Sequence, residues 1–125
     1  MNRTQINLEY IFKASPTILY KFLTTPTCLI RWFCDKVDNN GDVYTFSWNG
    51  AEELATLVDD IEDERVRYIW EEGEDNEYLE FRVYKSGVTN ETILEITEFC
   101  DKSEAKPQTA YWNSIMEEMR RAVGG

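Results

Sequence analysis

Six short segments in the middle of the chain alternate polar and apolar residues, and a turn signal separates each from the next. Alternation with a period of two is typical of half-buried β-strands, and asparagine, glycine and acidic residues at the breaks favour turns. The predicted strands cover residues 36–38, 43–48, 52–61, 65–71, 77–85 and 91–99. Strands joined by short turns pair with their neighbours, so the pattern predicts an antiparallel meander.

One further strand and two short helices are predicted ahead of the meander. Residues 4–13 alternate as a strand does. Ser15-Pro16 and Thr25-Pro26 each place a proline directly after a helix-capping residue. Proline is favoured at the first helical position, where a backbone N–H would have no partner within the helix. Two short helices are therefore expected to begin at Pro16 and Pro26.

The last segment changes its period to three and four residues behind Pro107. Its apolar positions are Tyr111, Trp112, Ile115, Met116, Met119 and Val123. This spacing predicts an amphipathic helix of about four turns. Together the elements predict an α+β fold in one domain spanning residues 1–125. It combines a curved antiparallel sheet of about six or seven strands, two short helices after the first strand, and the long C-terminal helix on the concave face.

The charge balance is strongly acidic. Lysine and arginine number 13, aspartate and glutamate 24, and the formal net charge is −11. A field of this sign repels phosphate backbones and anionic lipid surfaces, so neither nucleic acid nor a membrane is expected as a partner. Solubility accounts for such a charge without any specific basic partner.

Familiar catalytic and metal-binding groups are missing from the sequence. It contains no histidine, the commonest general base near neutral pH and a common zinc ligand. Cys28, Cys34 and Cys100 have neither metal-type nor redox spacing, and we expect them to be buried structural residues in a reducing cytoplasm. No catalytic set, metal site or cofactor is therefore predicted. The N-terminus does not resemble a signal peptide, and no segment is apolar over the length of a membrane span.

Four motifs recur here in a characteristic order. They are Ala14-Ser15-Pro16, Thr25-Pro26 through Leu29-Ile30-Arg31-Trp32-Phe33, Gly41-Asp42-Val43-Tyr44-Thr45-Phe46, and Trp112 at the opening of the last helix. With the order of elements, this combination resembles the helix-grip fold of the polyketide-cyclase and START-like superfamily. The branch it resembles most is that of homologues of the heat-shock-protein-90 ATPase activator. No catalytic residues are carried over, because no residue-by-residue match to a catalytic set exists.

Large apolar side chains should converge between the sheet and the long helix. The resemblance implies that this space is either a packed core or a cavity for an apolar ligand. The candidate lining residues are Trp32, Phe46, Trp48, Tyr68, Trp70, Phe81, Leu94, Tyr111, Trp112, Ile115 and Met119. The hydroxyl groups of Tyr68 and Tyr111 could orient a ligand or bond a backbone group.

A mixed aromatic and basic patch is predicted on the opposite face of the sheet. Tyr78, Arg82 and Tyr84 alternate with the inward residues of their strand. Pairs of this kind usually stabilise a sheet, but they also suit a protein partner or a homodimer.

Three functions stay open from the sequence. The leading hypothesis is a non-enzymatic binding domain that holds a small apolar or aromatic ligand between the sheet and the C-terminal helix. The second, implied by the nearest branch, is a protein-interaction or co-chaperone-like regulator acting through its surface. The third is a cyclase- or hydrolase-like enzyme that uses Tyr, Glu or Asp. Its candidate carboxylates are Glu53, Asp59 and Glu95, whose face is not fixed by the pattern.

Overall fold

The computed structural model describes residues 2–125. Its elements are β1 (Arg3–Phe12), α1 (Pro16–Thr24), α2 (Pro26–Leu29), β2 (Lys36–Asn40), β3 (Val43–Trp48), β4 (Ala51–Ile61), β5 (Arg65–Trp70), β6 (Leu79–Lys85), β7 (Thr92–Asp101), a 3-10 turn (Lys102–Glu104) and α3 (Ala105–Val123). The seven strands form one curved antiparallel sheet in the order β1-β7-β6-β5-β4-β3-β2. The predicted α+β helix-grip architecture is confirmed.

The residues in the turns account for the conformation of the first two hairpins. Trp48 pairs with Ala51 across a two-residue loop in which Asn49 and Gly50 have φ of 51° and 85°. Asparagine and glycine tolerate this left-handed conformation, which fits the twist of the flanking strands. In the preceding hairpin β2 runs two residues beyond its predicted end. Asn40 pairs with Val43, and only Gly41 takes a positive φ, of 62°.

The C-terminal helix begins earlier than predicted. α3 starts at Ala105 and includes Pro107 in its first turn. The first turn tolerates proline because its N–H groups have no intrahelical acceptor. The helix ends at Val123, and the following Gly124 caps it with a φ of 87°, which suits glycine. Among residues 2–125, no helix is both long and apolar enough to cross a bilayer.

The end of α1 is tied to the sheet and to the segment that follows α2 through its last carbonyl groups. The side chains of Trp32, Tyr68 and Tyr44 donate hydrogen bonds to the carbonyls of Phe22 (2.9 Å), Leu23 (2.8 Å) and Thr24 (3.0 Å). Terminal carbonyls of a helix have no intrahelical partner, so buried ones must be satisfied in this way. These bonds fix α1 on the concave face.

The short helix α1 and the long helix α3 both pack on the concave face of the sheet. α3 contacts β1 and β7 and buries Trp112, Met116 and Met119, whereas α1 contacts β5 and β6. The cover is therefore wider than the single long helix predicted from the sequence. α1 contributes no side chain to the cavity described next, which lies beside the first half of α3.

Candidate functional site

A cavity of about 290 Å³ opens at the end of the sheet where β3, β5 and β7 finish and β4 and β6 begin. Its lining consists of Phe33, Trp48, Glu53, Trp70, Leu79, Glu98, Gln108, Tyr111 and Trp112. Five of these nine residues are aromatic. The cavity thus sits between the strand ends and the first half of α3.

The aromatic walls follow from strand alternation. Phe46 and Tyr68 point into the core, and Trp48 and Trp70, two positions later on β3 and β5, keep the same direction at the strand ends. Both tryptophans are half-buried, and their ring centroids lie 6.2 Å apart. The Trp48 indole N–H donates to the carbonyl of Phe33 at 2.7 Å, which locks the ring orientation. The Trp48 ring is therefore held in a fixed orientation beside Trp70.

Glu98 places a carboxylate on the inner face of β7. Its Oε1 accepts hydrogen bonds from the indole N–H of Trp112 at 2.9 Å and from Nε2 of Gln108 at 2.8 Å. Burial raises the pKa of Glu98 above its usual value, and these two hydrogen bonds oppose the rise because they stabilise the charged form. A carboxyl group held in this way is a functional-site candidate.

Glu53 is the second acidic residue of the lining. It pairs with Phe46 across β3 and β4, shares the face of Ala55, and is exposed at the rim. Both charged residues of the lining are therefore glutamates. The site combines aromatic faces with negative charge.

A family model described as a START-like superfamily domain matches residues 1–125. The chain belongs to the START-like superfamily. The predicted resemblance is thereby confirmed. Among functionally curated proteins, none matches the chain.

Solved structures share this START-like fold. The protein BfR322 from Bacteroides fragilis is 32% identical over 97% of this chain and 91% of its own, with a TM-score of 0.69. The Aha1 dimer from Colwellia psychrerythraea is 19% identical over 96% of each chain, with a TM-score of 0.80. The protein MLL2253 from Mesorhizobium loti is 14% identical over 97% of each chain, with a TM-score of 0.77. The last two similarities concern the fold alone.

The candidate lining residues predicted from the sequence fall into two groups in the structure. Trp48, Trp70, Tyr111 and Trp112 border the cavity. The others lie in or against the packed core and are not part of the lining: Trp32, Phe46, Tyr68, Phe81, Leu94, Ile115 and Met119. The Tyr68 hydroxyl bonds the Leu23 carbonyl, whereas Tyr111 stands at the mouth with 42% of its surface exposed.

The three carboxylates considered from the sequence lie in different places. Only Glu53 borders the cavity. Asp59 forms an ion pair with Arg65 at 2.8 Å, and Glu95 accepts a hydrogen bond from the Tyr84 hydroxyl at 2.8 Å. Sequence reasoning missed Glu98, although it alternates in phase with Leu94 and Ile96.

The predicted outer patch is largely paired within the sheet. The Arg67 guanidinium lies 3.9 Å from the ring centroid of Tyr78, and it donates to Glu80 at 2.6 Å. Arg82 comes within 3.9 Å of the same glutamate, while Tyr84 is bonded to Glu95 as described. The Arg67–Glu80 and Tyr84–Glu95 contacts join neighbouring strands, and cross-strand pairs of this kind stabilise the sheet locally.

The three cysteines are buried and unpaired, as predicted. Burial raises the pKa of the Cys34 thiol to about 11, so the reactive thiolate is scarce at neutral pH.

Replacing Glu98 by glutamine should change how stability depends on pH. Because the folded-state pKa of Glu98 is raised above the ordinary 4.5, the folded state holds this proton more tightly than the unfolded state. Its contribution to stability therefore falls as pH rises from the ordinary value through the folded one. The glutamine variant lacks this loss, so its unfolding free energy minus that of the wild type should increase from acidic to neutral pH. Urea denaturation across this range measures the difference.

Glu95→Gln is the matched control for this prediction, because it makes the same chemical change on the outer face of β7. If the difference between Glu98→Gln and the wild type stays constant with pH, Glu98 does not have the environment described here.

Proposed function

We propose that this START-like domain is a non-enzymatic binding domain that holds a small ligand with an aromatic or apolar body in the cavity beside α3. The observation that carries the proposal is the cavity itself, with three tryptophan rings among its walls. Its volume of about 290 Å³ lies near the lower end of small-molecule sites, which are about 300–1,000 Å³. A compact ligand fits this space better than a long lipid.

The aromatic walls support binding because their surface is incompletely covered by the protein. Trp48 and Trp70 stay half-buried, while rings deeper on the same strands are fully enclosed. Leaving large apolar rings in contact with water is unfavourable, and a ligand that covers them recovers part of this free energy. The polarizable faces of these indole rings can also orient a ligand, whereas the N–H groups of Trp48 and Trp112 already donate to the Phe33 carbonyl and to Glu98.

Ligand binding can be tested with compact aromatic compounds, sterols and fatty acids. Three of the four tryptophans border the cavity, and Trp32 lies in the core with its N–H bonded to the Phe22 carbonyl. A bound ligand should shift the indole N–H resonances of Trp48, Trp70 and Trp112 saturably and leave that of Trp32 almost unchanged. The proposal is refuted if none of the compounds produces a saturable shift.

A matched pair of variants ties such binding to the cavity. Trp70→Leu keeps an apolar residue at the end of β5 but removes the ring face. Affinity should fall at least about fivefold, since one aromatic stacking contact is worth about 1–3 kcal/mol. Ile69→Ala alters the neighbouring, exposed residue on the outer face and should bind normally.

A protein-interaction function is the second candidate. It is favoured by the outer patch of Tyr78, Arg82 and Tyr84 and by the similarity in fold to the Aha1 dimer. The pairing within the patch leaves Arg82 as its most available charge, since Arg67 is engaged by Glu80. Sedimentation velocity of the wild type and of Arg82→Glu separates the candidates, because only a dimer formed through this face would dissociate on charge reversal.

A further inference from the structure

We propose that the cavity selects organic ammonium ions, meaning ligands that carry a protonated amine on an aromatic or apolar body, with the amine directed at Glu98. This inference rests on the proposed binding function and specifies the ligand class. It is argued from the charges of the lining, from the hydrogen bonds of Glu98 and from the aromatic walls.

The charges of the cavity are of one sign. Glu53 and Glu98 are its two charged residues, and the chain as a whole carries a net charge of −11. Arg3, which lines a smaller neighbouring pocket together with Glu98, is already engaged by Glu77 at 2.5 Å and by Asp101 at 2.9 Å. An anionic ligand would enter a negative field without a counter-charge in the lining, whereas a cation would be attracted to the site.

Glu98 keeps hydrogen-bonding capacity for a ligand. Both of its hydrogen bonds, from Gln108 and Trp112, end on Oε1. A carboxylate can accept at both oxygens, so Oε2 retains acceptor sites for a donor in the cavity. Gln108 and Trp112 also hold the side chain in position, which lowers the entropic cost of orienting it on binding.

The charge of Glu98 also lacks a cationic partner. In the ion pairs formed within residues 2–125, no lysine or arginine is joined to this carboxylate. A largely buried charge is costly unless it is paired. An ammonium group from a ligand would supply the missing counter-ion, and its hydrogen bond to the carboxylate would be charge-assisted.

The aromatic walls suit the same ligand. Trp112 and Trp48 both pack around Phe33, with ring centroids 6.3 Å and 5.4 Å from it, and Tyr111 lies beside Trp112 at 6.3 Å. The negative faces of such rings attract an organic cation, most strongly for tryptophan. A neutral alcohol gains the hydrogen bond and the apolar contacts but not this attraction. Cavity and carboxylate therefore favour the amine over the alcohol and the alcohol over an acid.

Three probes with one phenyl body test the selectivity: phenethylamine, phenethyl alcohol and phenylpropionate. Titrations at neutral pH follow the indole N–H resonances, with Trp32 as internal reference. We expect phenethylamine to bind at least about tenfold more tightly than the alcohol, and phenylpropionate to bind most weakly. Glu98→Gln should reduce the preference for the amine to less than about threefold, while Glu95→Gln should preserve it.

The outcomes separate this inference from the proposed function. If the alcohol or the acid binds as tightly as the amine, or if Glu98→Gln retains the full preference, the cavity binds ligands but the ammonium assignment is wrong. If no probe and no compound of the wider set produces a saturable shift, the binding function itself fails. A preference for the amine that depends on Glu98 and not on Glu95 supports both.

Discussion

Phe81→Ala is expected to lower the unfolding free energy by about 3–5 kcal/mol, the usual cost of removing a large aromatic ring from a packed core. Phe81 is 2% exposed and lies at the centre of β6, opposite Val66 and Ile96. Its ring contacts Trp32 and Trp112 edge-on, with centroids 6.1 Å and 5.9 Å away. The cavity left behind would loosen both the segment that follows α2, which carries Trp32, and α3, which carries Trp112. Urea denaturation followed by circular dichroism measures the loss.

Tyr84→Thr is the matched control on the same strand. Tyr84 faces outward and is 39% exposed, and threonine, which is β-branched, is favoured in strands as tyrosine is. We expect a change within about 1 kcal/mol. Equal losses for the two variants would mean that β6 does not present Phe81 to the core as described.

Most of the sheet could be predicted because its two faces have different environments. In β6, Leu79, Phe81 and Val83 are buried and Arg82 and Tyr84 are exposed, as the alternation requires, although the outward-facing Glu80, which is paired with Arg67, is also buried. A shift in the phase of this strand would expose three apolar side chains, so the pattern determines the face reliably. The turn residues then determine which strands are neighbours.

The helix boundaries were harder to predict, because proline can have two opposite effects on a helix. A proline either blocks a helix or occupies its first turn, and the local sequence around Pro107 does not distinguish these alternatives. The 3-10 turn Lys102–Glu104 leads the chain directly from β7 into α3, which places Pro107 inside the first turn. This connection depends on the tertiary packing of the helix.

The division between core and cavity also required the structure. Phe46 and Trp48 have the same alternation and similar side chains, yet the first is enclosed and the second borders the cavity. The difference arises from their distance to the strand end and from the reach of α1 and α3 over the sheet. How far the helices extend over the sheet cannot be predicted from a local sequence pattern. The sequence therefore predicts an aromatic cluster but not which of its residues border a cavity.

The sequence contains a signal for Glu98 as a site residue, in its position on β7. An acidic residue in phase with Leu94 and Ile96 conflicts with the apolar pattern of the inner face. Such local conflicts between pattern and fold are expected at functional sites, where stability is given up for binding. The raised pKa of Glu98 and its place in the cavity lining agree with this interpretation.

Tyr68→Phe is expected to cost about 1–3 kcal/mol of unfolding free energy although it removes a single oxygen atom. The Tyr68 hydroxyl is the donor to the Leu23 carbonyl at the end of α1, and Tyr68 is 2% exposed. Without it, a buried carbonyl loses its hydrogen bond while the rest of the packing is unchanged. Tyr84→Phe removes an exposed hydroxyl from the same sheet and should change the stability by less than about 0.5 kcal/mol.

The advantage of Tyr68 over phenylalanine should also decline in alkaline solution. Burial raises the pKa of Tyr68 well above the ordinary 10.0, so the folded state keeps the proton that the unfolded state releases. The unfolded state then binds fewer protons than the folded one, and stability from this group is lost as pH rises above the ordinary value. Denaturation of both proteins on either side of this pH measures the change. A difference that is small at neutral pH, or that grows in alkaline solution, would contradict the role of this hydroxyl in fixing α1 to the sheet.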